Sequence, residues 1–355
     1  MSWKASETGL NGFSITPCEA GAKEAAREIS EFILQWEDAA SLIRFKTSGS
    51  TGPPKEIFFS ADPLRQAAEA SLAAFNLAEK QGGFVCALPP ATVAARMLAL
   101  RARLLQRPVW VLKPALKISL NALPEGPIAQ ISLSPAQMFQ LVRSDNMQAI
   151  RAAGSILLGG SPLPQPLEDY LKNSGLPVHI TYGMTETLSH VALRSPGDSL
   201  YKALHPDIAF DMDSRGCLLI HTPWNPAPVI TTDQVALVDT KSFYWLGRTD
   251  FVINSGGVKI HPEEVESLLS RIIPSEMSYF VAPMPDSLFG AVPVLCVEGP
   301  PRPIPWEQNI KEVIPHKLWI PKKILFLPQF SRTSEGKFLR AATLATLAQL
   351  FQDDL

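Results

Sequence analysis

Four short stretches of this sequence hold residue types that could do chemistry together. Thr47-Ser48-Gly49-Ser50-Thr51-Gly52-Pro53-Pro54-Lys55 gathers hydroxyls and glycines in one loop and closes on a lysine. Such a loop suits a polyphosphate. Backbone N–H groups approach closely where Cβ atoms are missing, hydroxyls donate, and lysine brings a point charge. It is not a Walker A loop, because Pro54 stands where the second glycine belongs and Glu56 follows Lys55. Taken alone it is equally readable as a flexible polar loop. In Thr181-Tyr182-Gly183-Met184-Thr185-Glu186-Thr187 a carboxylate beside hydroxyls can hold Mg²⁺ while the hydroxyls touch phosphate oxygens, and Tyr182 offers a flat face to a base. The bland reading is a capped turn in which Thr185 or Thr187 starts a helix. In Gly247 to Glu266, Arg248 and Asp250 stand between a strand and the pair Gly256-Gly257, which suits a polar hinge. Read blandly they are a surface ion pair, worth about 0–1 kcal/mol. The fourth stretch, Ser331 to Lys337, is a polar turn before the last helix, where Lys337 is either a solvated helix-start residue or a catalytic one.

The elements that must position these loops follow from periodicity. Residues 23–37 carry helical spacing, 62–80 read as a helix with Asp62 as cap and Pro63 at its first position, and ATVAARMLALRARLLQ is a third helix. FVCALPP, PVWVL, AQISLS, SILLGG and PVHITYG are short apolar strands, with helices near 135–144 and 164–173. Strands alternating with helices predict a large α/β layer domain with a parallel sheet, and ligands in such folds gather at the carboxyl ends of strands. From about 210 the texture turns to short β-like runs (CLLIHT, PVITTD, VALVD, FYWLGR). Beyond Asp250 a helix over HPEEVESLLSRI, strands near YFVAP, VPVLCVEG and KILFLP, a helix near 307–315 and a terminal helix over 337–350 predict a small α+β domain. The expected division is 1–248, an ATP- and acid-binding domain with a β-rich end, and 249–355, a mobile C-terminal domain.

Composition narrows the function classes. A chain of 355 residues with 46% hydrophobic content can bury a large core. The net charge of −2 argues against a nucleic-acid footprint. Cys18, Cys86, Cys217 and Cys296 form no C-x-x-C pair, so they read as buried small hydrophobes. No apolar run approaches the ~18 residues of a membrane span, and the N-terminus lacks a leader pattern, so the cytoplasm is the default expectation.

In this order and spacing, the four stretches resemble the adenylate-forming superfamily of acyl-CoA synthetases, peptide-synthetase adenylation domains and luciferases, from Phe45 to Arg340. The resemblance implies that Thr47, Ser48, Gly49, Ser50, Thr51, Gly52 and Lys55 wrap the β- and γ-phosphates of ATP. Gly159, Gly160 and Ser161 would lie along adenine, with Tyr182 on its other face. Thr185 would contact the α-phosphate, Glu186 hold Mg²⁺, Asp233 bind the ribose hydroxyls and Arg248 assist it. Asp250 matches the hinge residue, Lys337 the lysine that enters for adenylation, and Gly256 and Gly257 the glycines lining the pantetheine tunnel for coenzyme A. Thr232 replaces the usual glycine of the family pattern.

Only 46 residues precede the phosphate loop, whereas the family usually has a longer lead, which predicts a shortened N-terminal portion. Compact o-succinylbenzoate–CoA ligases of menaquinone synthesis look like this, and YGMTETLSHVALR with LPPATVAARM is similar to their pattern. A diacid needs donors for its unreactive carboxylate; Arg96, Ser189 and His190 are the candidates, with a surface helix arginine and a core histidine as the bland alternatives. The expected activity is an ATP-dependent acid–CoA ligase, with another acid, a carrier-protein thiol as acceptor, or a non-catalytic nucleotide-binding module as alternatives. Expected partners are ATP, the acid and coenzyme A, with a homodimer as a possible assembly.

Overall fold

The computed structural model describes residues 13–344, apart from 39, 48–54, 145–146, 162, 275, 304, 333–337 and 341. Ser48, Gly49, Ser50, Thr51 and Gly52 of the phosphate loop, and Lys337, therefore lie outside the described residues, as does most of the expected terminal helix. In chain order come β1 (Ile15–Pro17), α1 (Lys23–Glu37), β2 (Ile43–Lys46), β3 (Glu56–Phe59), α2 (Ala61–Ala74), β4 (Gly83–Cys86), α3 (Val93–Leu104), β5 (Val109–Val111) and β6 (Ile128–Leu133). Next are α4 (Pro135–Arg143), α5 (Gln148–Arg151), β7 (Ile156–Leu158), α6 (Gln165–Asn173) and β8 (Val178–Met184). An all-strand stretch follows: β9 (Ser189–Arg194), β10 (Leu200–Ala203), β11 (Ala209–Met212), β12 (Cys217–His221), β13 (Val229–Asp239) and β14 (Ser242–Arg248). The last stretch holds β15 (Ile253–Ser255), β16 (Val258–Ile260), α7 (Pro262–Leu269), β17 (Tyr279–Asp286), β18 (Gly290–Glu298), α8 (Trp306–Val313) and β19 (Ile324–Leu327).

The architecture is mixed α/β. One twelve-stranded sheet runs β1-β5-β4-β6-β7-β8-β9-β10-β14-β13-β12-β11. Its first six strands are parallel and the rest antiparallel. Alternation along β4 explains the layering. Phe84 and Cys86 enter a core with Ile29, Leu64 and Leu98 of α1, α2 and α3, whereas Val85 enters a second core with Met138, Ile150 and Leu167 of α4, α5 and α6. Covered on both faces, β6 is buried at every position. A smaller sheet, β16-β15-β18-β17 with β19 on β18, follows in sequence, beginning at Ile253 where the large sheet's last strand ended at Arg248. The short pair β2–β3 stands apart as a ribbon. Among the described residues no helix is long and apolar enough to cross a membrane. The four cysteines are unpaired.

Three expectations are corrected. Helix α2 begins behind Ser60, with Asp62 inside its first turn, and ends at Ala74 rather than 80. Asn76 adopts φ 49° there, and the Leu77 N–H bonds back to the Leu72 carbonyl, which closes the helix. No helix starts at Thr185 or Thr187; the chain reverses into the β8–β9 hairpin, with Met184 paired to Ser189. Strands β9, β10 and β11 went unflagged, and PVITTD and VALVD fuse into the single strand β13.

Candidate active site

The carboxyl ends of the parallel strands β7 and β8 carry two of the marked segments, whereas the 47–55 loop joins the antiparallel ribbon β2–β3. Gly159-Gly160-Ser161 follows β7, and Gly160 takes φ 85°. Gly159 must be glycine, since a Cβ there would meet Thr181 Oγ1 of the neighbouring β8 at 2.3 Å. Beside it, the turn Thr185–Leu188 closes the β8–β9 hairpin. Gly183 lets the two strands approach, as its Cβ would fall 2.0 Å from the Ser189 carbonyl oxygen. Leu188 and Ser189 both take positive φ, 54° and 85°, an uncommon conformation for residues with side chains. The surroundings hold it: Thr187 Oγ1 accepts from the Met184 N–H at 3.0 Å and lies 2.7 Å from the Ser189 carbonyl. Trp224 Nε1 donates to the Thr187 carbonyl at 3.3 Å, and Asn225 Nδ2 to the Glu186 carbonyl at 3.1 Å. Thr185 and Glu186 thus sit on a braced tip. Among the described residues no hydrogen bond or ion pair claims the Glu186 carboxylate.

Tyr182 and Asp233, far apart in sequence and on strands that do not pair with each other, meet through their side chains. The Tyr182 hydroxyl donates to Asp233 Oδ2 at 2.6 Å, Trp245 Nε1 donates to Oδ1 at 3.3 Å, and Arg248 approaches Oδ1 at 4.0 Å. Burial and the neighbouring Asp233 charge push the Tyr182 phenol well above its ordinary value, so it stays a neutral donor. Its ring packs edge-on to Phe243 at 5.2 Å. Arg248 also donates to Thr232 Oγ1 at 2.7 Å and to Asp250 Oδ2 at 2.9 Å, while the Thr232 hydroxyl donates to Asp250 at 3.1 Å. Burial alone would lower the Arg248 pKa, but the bond to Asp250 and the Asp233 charge raise it. Thr232 is therefore a third member of the Arg248–Asp250 clamp. Gly256 and Gly257 form the turn between β15 and β16, both with positive φ (56° and 81°), and Gly256 packs on Phe289. At the base of the phosphate loop, Lys55 N donates to Thr47 Oγ1 at 3.0 Å and Thr47 N to the Lys55 carbonyl at 2.9 Å.

The candidates for an acid ligand separate. His190 has both ring nitrogens engaged, Nε2 with Ser71 Oγ at 2.8 Å and Nδ1 with Ser189 Oγ at 3.2 Å. Burial, helped by the nearby Arg101 and His179 charges, pulls it well below the ordinary histidine value, so it is neutral. Arg96 donates to the Arg44 carbonyl at 2.7 Å. The residue missed is Arg101, on the same helix and only 1% exposed. Its Nε donates to Gln130 Oε1 at 2.9 Å, and among the described residues no carboxylate pairs with it. Burial pulls its pKa down to about 9, so it stays charged at neutral pH. A signal was available: Arg101 stands four residues after Met97 and three after Leu98, on the buried face of α3. An arginine on an apolar helix face asks for an anion.

The AMP-binding enzyme family model matches residues 17–209, more than half of the chain, and the chain belongs to that family. Among curated relatives, the 2-succinylbenzoate–CoA ligase of Bacillus subtilis is 29% identical over 355 residues, covering 90% of this chain and 71% of that enzyme. An AMP-forming acyl-CoA synthetase/AMP-acid ligase II-like protein from Dyadobacter fermentans is 29% identical with a TM-score of 0.57, covering 92% of this chain and 95% of that one. The Bacillus subtilis o-succinylbenzoate CoA synthetase, solved with its acyl-adenylate intermediate, is 24% identical with a TM-score of 0.74, covering 86% and 69%. Solved with ATP and a magnesium ion, it has a TM-score of 0.70 at 24% identity, covering 87% and 70%.

Proposed function

We propose that this chain is an ATP-dependent carboxylic acid–CoA ligase that works through an acyl-adenylate, with 2-succinylbenzoate as its acid. The observation that carries this reading is the convergence of Tyr182, Asp233 and Arg248 beside the braced Thr185–Glu186 tip. Asp233 keeps unused lone pairs for ribose hydroxyls, and Tyr182 faces the base. The acid's carboxylate oxygen bonds to the α-phosphorus as the bond to the β-phosphate oxygen breaks, and pyrophosphate leaves. Thr185 and Lys337 meet the charge that develops on the α-phosphate. A thiol then attacks the acyl carbon and AMP departs.

Glu186 fits a magnesium ion, since Mg²⁺ is commonly held by one or two carboxylates plus substrate phosphates. Among the described residues there is no cluster of three or more His, Cys, Asp or Glu to make a closed protein cage. When bound, the ion would neutralise phosphate charge. A diacid is favoured because Arg101 is a buried cation without a counter-ion, and the second carboxylate of 2-succinylbenzoate supplies one. Arg101 suits this role better than Arg96 or His190, whose polar groups are already engaged.

An acid panel assayed by pyrophosphate release, run with free coenzyme A and with a carrier protein, tests the reading. Expected is release that depends on 2-succinylbenzoate and yields the CoA thioester. Exchange of pyrophosphate with no acid preferred, or thioester found only on the carrier, would overturn the assignment.

A further inference from the structure

The Arg96 guanidinium lies over a pair of touching aromatic rings, 5.3 Å from the centroid of Phe32 and 5.1 Å from that of Phe45. Its one strong hydrogen bond runs to the backbone of β2, at the Arg44 carbonyl, 2.7 Å away. Phe45, 1% exposed, packs edge-on to Phe32 at 6.2 Å and to Phe59 at 5.9 Å. Among the described residues β2 and β3 form strand pairs only with each other. A two-stranded ribbon is at best marginally stable by itself, so its place depends on side-chain anchors. Ribbon pairing continues from Lys46–Glu56 straight into the Thr47–Lys55 bonds at the base of the phosphate loop. Thr47 and Lys55 must therefore move with the ribbon. Arg96 itself sits in the first turn of α3, which begins past the carboxyl end of β4, at the same edge of the sheet as Gly159–Ser161 and the Thr185–Glu186 tip.

We propose that Arg96 is a positioning residue for ATP: its guanidinium clamps β2 onto α3 and so holds Thr47 and Lys55 at the edge where the nucleotide binds. This rests on the reading of the 47–55 loop as the triphosphate grip. The clamp has two parts, a charge-assisted bond to a carbonyl and a cation resting over two rings. Loss of it leaves Arg101, the residue proposed for the acid's second carboxylate, in place, because Arg101 lies about 140° farther round the helix.

The test compares Arg96→Ala, Arg96→Met and Arg96→Lys. Arg96→Met keeps an apolar stem against Phe32 and Phe45 and so guards against a variant that merely fails to fold. Mg·ATP binding is measured by calorimetry, and KM for ATP and for the acid by pyrophosphate release. Expected is about tenfold weaker Mg·ATP binding in the Ala and Met variants, the scale of one charge-assisted bond with a cation–π contact. KM for the acid stays within twofold and diacid preference is unchanged. Lysine restores part of the affinity, since an ammonium can still donate to the carbonyl but lacks the planar guanidinium that stacks on the rings. Unchanged ATP affinity in all three, or a rise confined to the KM for the acid, overturns the proposal. Hydrogen exchange of the β2 and β3 amides reads the clamp without nucleotide: faster exchange in Arg96→Met supports it and unchanged exchange refutes it. Wild-type protein that binds no ATP but shows the exchange effect would sink the proposed function and leave the clamp standing.

Discussion

Replacing Arg101 with methionine should stabilise the protein and strip it of its preference for a diacid. Burial lowers the Arg101 pKa from an ordinary 12.5 to about 9, which corresponds to about 5 kcal/mol of desolvation. The neutral partner Gln130 offsets only part of this, and Gln130 Nε2 is itself buried without a partner. Methionine fills much of the same space without charge, at a cost of about 1–2 kcal/mol for the acceptor left unpaired on Gln130. A net gain of roughly 3 kcal/mol is the upper bound, or several degrees in Tm for a chain of this size. The substrate term has the opposite sign. Deleting one partner of a buried guanidinium–carboxylate pair costs about 3–5 kcal/mol, so kcat/KM for 2-succinylbenzoate should fall by about two to three orders of magnitude. A matching monoacid that keeps the reacting carboxylate and lacks the other should lose less than a few-fold. Pyrophosphate release on both acids and a thermal melt form the assay. Equal losses on the two acids, or a lower Tm with selectivity intact, would refute the idea that Arg101 waits for an anion.

Lys337→Ala should cut acid-dependent ATP–pyrophosphate exchange by about 10²–10³-fold while sparing thioester formation from supplied acyl-adenylate; equal loss in both half-reactions would remove the lysine from the adenylation step. Burial beside Glu266 raises the Glu263 pKa from 4.5 to about 7, despite Arg340 at 3.2 Å. The folded value lies above the unfolded one, so this group's stabilising contribution is whole below about pH 4.5 and is lost as pH rises through about 7. About 3 kcal/mol should disappear across that window, and Glu263→Gln should flatten it; parallel melting curves for the two proteins between pH 4.5 and 8 would contradict the assignment. Gly183→Ala would drive a Cβ to 2.0 Å from the Ser189 carbonyl oxygen, so a loss of about 3 kcal/mol in urea unfolding is expected. An unmoved midpoint would mean the β8–β9 strands do not pack this closely.

Much of the framework was legible in the residues. The apolar runs FVC and ILL, the alternation in VHI and the helical spacing of Lys23–Glu37 mark elements that face a core, and these stretches fold as expected. Other features depended on context. Ser189–Arg194 has the composition of a strand, but its position behind a TET motif with helix-cap character hid the hairpin. The length of α2 turned on Asn76 entering a left-handed conformation, which its side chain tolerates but does not demand. The acid-site residues show the same divide. Arg96 and Arg101 are alike in sequence, five residues apart on one helix, yet one clamps a ribbon and the other lies wholly buried.

By itself, then, the sequence determined much of what is set within a few residues of backbone. The glycines of GGS and YG fall where close approach or a left-handed φ requires them, the hydroxyls cluster in one loop, and alternating strands and helices build a layered sheet. Only the tertiary structure decided which distant groups meet. Tyr182 reaches Asp233, 51 residues on, although β9, β10 and β14 separate their strands in the sheet. Arg101 has no carboxylate partner among the described residues because packing sets it against neutral groups, Gln130, Cys86 and His190. Partnership over such distances is a sum over many contacts, and no local pattern encodes it.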